Sequence, residues 1–139
     1  MTYDPGNIFA KMLRQEIPCI KVFEDEKTLA FLDIMPQAEG HTLVIPKAEA
    51  ENLLDLEPDM AAALMRSTQK IAKAINRALA PKGFMLMQLN GAAAGQSVFH
   101  VHFHIIPRQD GIDIKLHARE QADPAELQTI AEKIRAALE

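Results

Sequence analysis

Cysteine is nearly absent from this chain of 139 residues: Cys19 stands alone. That excludes an internal disulfide framework and any zinc site built on paired cysteines. Tryptophan is missing and aromatic residues make up only 5%, so seven methionines and many Ala, Leu and Ile must fill the core. No run approaches the ~20 apolar residues that a membrane-spanning helix requires. Basic residues are in deficit, with 15 Lys and Arg against 19 Asp and Glu and a formal charge of −4. An excess of that sign argues against nucleic-acid binding by charge. The opening Met1-Thr2-Tyr3-Asp4-Pro5-Gly6 is neither basic nor followed by an apolar signal core. The expectation is a soluble, cytoplasmic protein with no membrane partner. The length suits one domain, or one domain with an extension.

What is present is a series of short elements. Asn7 is placed to cap a helix over Ile8–Arg14, which Pro18 stops. Ile20–Glu24, Thr28–Ile34 and His41–Ile45 have strand character, and their short links favour antiparallel pairing. Pro58 suits a helical first position, and Met60, Leu64, Thr68, Ile71, Ile75 and Leu79 follow as one apolar stripe. Pro81 and Gly83 are expected to end that helix. Phe84–Leu89 reads as a buried strand, and Gly91–Gln96 as a loop of small residues. Ser97–Ile106 reads as a long strand, and 112–119 has no clear pattern. Asp123-Pro124-Ala125-Glu126 has the form of a helix start, and Leu127, Ile130, Ala131, Ile134 and Leu138 give that helix a face to dock with.

Three of the five histidines fall within five residues: His100, His102 and His104. On a strand they share one face, roughly 6.6 Å apart, while Val101, Phe103 and Ile105 face the other way. The second face is core. Packing alone does not explain three imidazoles on the first, because each needs hydrogen-bond partners. Two chemistries fit. His-x-His on a strand can chelate zinc. A neutral imidazole can also act as a nucleophile, oriented by its neighbours. Gly95-Gln96-Ser97 runs directly into these histidines. Glycine lets backbone N–H groups approach an anion, and Ser97 adds a hydroxyl, which suits a phosphate held beside the imidazoles. His117 matches no pattern and reads as a surface residue.

The run from Gly95 to Ile106 resembles the signature of the histidine triad (HIT) superfamily, His-φ-His-φ-His-φ-φ with φ apolar. Phe31-Leu32-Asp33-Ile34-Met35-Pro36, His41-Thr42-Leu43-Val44-Ile45-Pro46-Lys47 and the opening Ile8-Phe9 with Glu16-Ile17-Pro18 resemble further family blocks, in order. The resemblance covers roughly residues 7 to 108. It implies an α+β fold, with an antiparallel five-stranded sheet and helices, over residues 1–110. Residues 111–139 then form a C-terminal extension with a docked helix.

The resemblance also implies roles. His102 attacks the α-phosphorus of a nucleotide, and water releases a nucleoside monophosphate from the nucleotidyl-histidine. His104 and His41 extend the hydrogen-bond chain that orients it, and His100 sits against the same network. Ser97 meets the phosphate and leaving group, and the Gly95 and Gln96 backbone cradles the phosphate. Asp33 accepts from ribose hydroxyls. Ile8, Phe9, Met12, Ile17, Phe31 and Ile34 form a slot for the base. The family carries an amide where this chain has Leu89, and Asn90 is expected to take over that contact. Implied partners are a purine nucleotide or nucleotidyl conjugate and a second copy of the chain, with no metal and no cofactor. His104 argues against the transferase branch, which carries Gln there. The reading is a hydrolase of nucleoside phosphoramidates or related conjugates. Its alternatives are a dinucleoside polyphosphate hydrolase, a nucleotide sensor without turnover, and a metal hydrolase.

Overall fold

The computed structural model describes residues 2–111 and 120–138. His117 and the patternless 112–119 lie outside them. The elements run α1 (Ile8–Leu13), β1 (Lys21–Glu24), β2 (Thr28–Leu32), β3 (Thr42–Pro46), α2 (Pro58–Leu79), β4 (Gly83–Met87), β5 (Phe103–Arg108) and α3 (Pro124–Ala136). The strands form one antiparallel sheet in the order β1-β2-β3-β5-β4, an α+β architecture.

Both faces of the middle strands are covered, so β2 and β3 are buried along their whole length. Alternation still sorts their side chains. Ala30, Leu32 and Val44 join Leu64, Ile71 and Ile75 of α2 and Leu127, Ala131 and Ile134 of α3 in one core. Leu29, Phe31, Leu43 and Ile45 face the opposite way and pack with Phe9 of α1. The C-terminal helix is therefore docked into the main core. Among the described residues no helix is long and apolar enough to cross a membrane.

Local chemistry sets the helix ends. The Asn7 side chain accepts from the Ala10 N–H at 2.9 Å, and the Asp123 side chain accepts from the Ala125 N–H at 3.0 Å. The long helix runs to Leu79 with Ala80 as its C-cap, directly ahead of Pro81 as expected. Ala80 takes a left-handed conformation (φ 45°) with its N–H on Asn76 O, and Gly83 already begins β4. Gly40, just before His41, has φ +89°, and an added Cβ would lie 2.5 Å from Leu79 Cδ1. Only glycine fits that turn without displacing the end of α2.

Two strand expectations are corrected. Phe84–Leu89 is not buried. Its strand, β4, lies at the sheet edge, with Phe84 48% and Leu86 41% exposed. The last strand begins at Phe103, not Ser97. Its pairing with β3 runs only from Val44↔Phe103 to Thr42↔Ile105. Residues 97–102 instead leave the sheet and cross the segment after β3, where the Val101 N–H reaches Ala50 O at 2.9 Å. Two-sidedness survives this departure: Val101 is fully buried in the main core, while His100 and His102 turn to the α1 side.

Candidate active site

A cavity of about 270 Å³ opens between α1, the β2–β3 connection and the Gly95–His104 segment. That is at the small end of ligand sites, which span roughly 300–1,000 Å³. Its apolar wall includes Ile8, Phe9, Met12, Phe31 and Ile34. Its polar side carries Asp33, His41, Gly95, Ser97, His102 and His104. The rings form a chain, with His102 and His104 centroids 4.9 Å apart and His41 and His104 5.3 Å apart. Phe9 stands edge-on to His102 at 4.9 Å and fixes its plane from the α1 side.

Hydrogen-bond partners settle where each ring carries its proton. His102 Nδ1 is 2.7 Å from His100 O, a carbonyl that only accepts, so Nδ1 holds the hydrogen. The Nε2 of neutral His102 therefore keeps its lone pair. His100 is fully buried behind it, with Nε2 2.8 Å from Pro46 O and Nδ1 2.6 Å from the Tyr3 hydroxyl. By the same logic His100 donates from Nε2 and accepts at Nδ1. The Gln37 N–H donates to His41 Nδ1 at 3.0 Å, so neutral His41 donates from Nε2 to His104 Nδ1, also at 3.0 Å. His104 then carries its hydrogen on Nε2.

Burial keeps His41, His100 and His102 neutral. Loss of solvation pushes both His41 and His102 down to about 4, and each also feels a neighbouring imidazole. Burial lowers His100 too, against the opposing effect of its bond to Pro46. Asp33 moves the other way. Burial raises its carboxyl, opposed by the Met35 N–H at 2.9 Å. Asp33 Oδ2 lies 3.6 Å from His41 Nε2. With His41 neutral, this is a polar contact and not an ion pair.

Asp33, His41 and His104 also bring three ligand-type atoms within 4.8 Å of one another. A metal there would need the His41 Nε2 lone pair. The Gln37 N–H occupies Nδ1 and places the hydrogen on that very Nε2. Metal-binding histidines ordinarily donate from their other nitrogen, and this one accepts. The arrangement is that of a hydrogen-bond relay.

Three expected site residues lie elsewhere. Ile17 lines a neighbouring recess with Cys19 and Lys21, beyond the end of α1. Asn90 is exposed and turned away; its Oδ1 accepts from the Leu53 N–H at 2.8 Å, and Leu89 lines the cavity instead. The Gln96 side chain is buried as a loop brace, taking the Gly91 N–H and donating to Glu51 O and Val98 O. The backbone cradle also needs correction. Gly95 N–H is committed to Ala92 O and Gln96 N–H to Gly91 O, both at 3.0 Å. Gly95 lines the cavity with its backbone at φ 103°. Sequence reasoning missed Leu43 and Val98 in the wall, and Gln37 and Tyr3 as ring anchors. Leu43 was recoverable from β3 alternation. Tyr3 had no local signal, because its partner is 97 residues away.

A family model described as the HIT domain matches residues 14–111. The chain is 45% identical over 132 residues to Protein hit of Bacillus subtilis, covering 91% of this chain and 90% of that one. It is 44% identical over 101 residues to the adenosine 5′-monophosphoramidase of Schizosaccharomyces pombe, 73% of each chain. A crystal structure of a HIT-like protein from Bartonella henselae is similar with a TM-score of 0.93. The two are 48% identical, over 99% of this chain and all (100%) of that one.

Proposed function

The chain belongs to the HIT domain family, and from that premise we propose that it is a nucleotide hydrolase. It acts at the α-phosphate of nucleoside phosphoramidates or related nucleotidyl conjugates. The observation that carries this reading is His102 Nε2: a neutral, unprotonated nitrogen on the cavity wall, with its other nitrogen fixed on a carbonyl. A relative at 44% identity is named an adenosine 5′-monophosphoramidase, which supports the same chemistry.

The steps follow from the proton positions. Nε2 of His102 bonds to phosphorus as the P–N bond breaks, and the leaving nitrogen takes a proton from solvent and departs as the neutral amine. The imidazole now bears a positive charge, which the His100 carbonyl stabilises through Nδ1–H. Water then attacks phosphorus, the P–Nε2 bond breaks with its electron pair returning to the imidazole, and one proton of the water passes to solvent. Neutral His102 and a nucleoside monophosphate result. Ser97 and the hydrogen on His104 Nε2 serve the phosphoryl oxygens. Asp33 accepts from the ribose, and Phe9, Phe31 and Ile34 hold the base. No Lys or Arg lines the cavity among the described residues. Such a site holds a singly charged phosphoryl group with a neutral or cationic leaving group better than a polyphosphate chain.

The test is turnover of adenosine and guanosine 5′-phosphoramidates beside diadenosine polyphosphates, in buffer containing chelator. Phosphoramidates should be consumed at least about tenfold more efficiently, a difference of ~1.4 kcal/mol in transition-state binding. Preference for the polyphosphates would move the assignment to that hydrolase type. Tight mononucleotide binding with no turnover would favour a sensor, and activity abolished by the chelator would favour a metal hydrolase.

We also propose that the protein is a homodimer. The Met60–Leu79 stripe is spent on the core. The support lies on another face, where Met65 of α2 is 44% exposed beside Phe84 and Leu86 of β4. This apolar patch adjoins β4, the edge strand of the sheet among the described residues. Sedimentation at micromolar concentration should give twice the chain mass, and Leu86→Lys should shift it toward monomer. A monomeric parent protein would refute the dimer.

A further inference from the structure

We propose that Tyr3 is a positioning residue for the nucleophile, acting through His100; the catalytic part of this rests on the hydrolase reading above. Residues 97–102 lie outside the strands, so no regular ladder holds the backbone that presents His102. The ties that replace it are specific. The Val101 N–H is bound to Ala50 O, and the His100 ring is held at both nitrogens, by Pro46 O on one side and the Tyr3 hydroxyl on the other.

The direction of each bond matters. His100 Nε2 must donate, because Pro46 offers only a carbonyl, so Nδ1 presents a lone pair. The phenol of Tyr3 fills that lone pair at 2.6 Å, and its ring meets the imidazole edge-on, with centroids 5.7 Å apart. A buried imidazole with one nitrogen unsatisfied would be penalised and freer to rotate. The same residue supplies the carbonyl that sets the His102 tautomer, at 2.7 Å. Tyr3 thus fixes the ring, the ring fixes the segment, and the segment's carbonyl aims His102 Nε2. Tyr3 lies outside residues 14–111, the span matched by the family model, so the N-terminal segment contributes a part that the domain pattern does not contain.

The experiment compares the full-length protein with Tyr3→Phe, which removes the hydroxyl and keeps the ring. Imidazole ¹⁵N resonances of His100 and His102 are recorded together with kcat and KM. Loss of the donor should move His100 Nδ1 downfield. It should also move or broaden His102 Nδ1 as its bond to the His100 carbonyl loosens. Turnover should fall about three- to tenfold in kcat, the effect of one hydrogen bond, with KM changed less than about twofold. An unchanged His100 resonance would overturn the proposal. So would a moved His100 resonance with His102 and kcat unaltered. If the parent protein showed no turnover, that failure would belong to the hydrolase reading, and the His102 resonance alone would decide the role of Tyr3.

Discussion

Replacing His102 with alanine is expected to lower phosphoramidate turnover by about 10⁴-fold or more, the order seen when a covalent nucleophile is removed. Mononucleotide affinity should change only a few-fold. The apolar wall of Phe9, Phe31 and Ile34, the Asp33 carboxylate and Ser97 all remain. His102→Gly should recover part of the lost rate with added imidazole, which can diffuse into the vacated space. The contrast with His100 is structural. Both His100 nitrogens are engaged, by Tyr3 and Pro46, and the ring is fully buried, so it has no free lone pair to attack with. His104 has its Nδ1 taken by His41 and carries its hydrogen on Nε2. Among the described residues only His102 offers an unprotonated nitrogen to the cavity. Near-normal turnover in His102→Ala would refute this assignment.

The second large effect is on stability in acid. His41 and His102 fall to about 4 in the folded chain, chiefly through burial. In the unfolded chain a histidine titrates near 6.5. Between those values the unfolded chain binds protons that the folded chain refuses. The stabilisation is therefore full above about pH 6.5 and is lost as pH falls toward 4. Together the two rings should remove on the order of 3–6 kcal/mol between pH 7 and pH 4. Asp33 acts in the opposite sense, since its raised carboxyl protonates more readily in the folded state. Urea midpoints across this range check the prediction. The doubly substituted His41→Gln, His102→Asn chain should show a flatter pH dependence. A parent protein equally stable at pH 7 and pH 4.5 would mean that these rings are solvated. Turnover should follow the same logic on its acid side, holding nearly constant down to about pH 5 because the nucleophile is already unprotonated.

Much of this organisation is legible in the sequence because its causes are local. Asn7 and Asp123 cap the helices that follow them. Alternation along Thr28–Leu32 and Thr42–Pro46 sorts side chains onto two faces. The spacing of His100, His102 and His104 survives in the side each faces, although only His104 lies within a strand. What escapes the sequence depends on contacts between distant segments. Phe84 and Leu86 look like core residues, and only the strand order exposes them at an edge. Asn90 stands beside the right position, but the turn at Asn52–Leu53 claims its side chain. The loop glycine Gly95 has the expected conformational freedom, yet its N–H closes a turn of the loop. Proton positions are the least legible feature. They depend on whether a carbonyl or an N–H faces each ring, and Pro46, Gln37 and Tyr3 reveal that only once the chain is folded.

The central claim is a covalent nucleotidyl group on His102 Nε2. Its most direct test is rapid acid-free quench of a single turnover with nucleotide-labelled phosphoramidate, followed by mapping of the labelled peptide. The account predicts a transient, acid-labile nucleotidyl group on His102, formed and lost at rates that match turnover. Product formed with no labelled protein at any time, or with the label on His100 or His104, would contradict it.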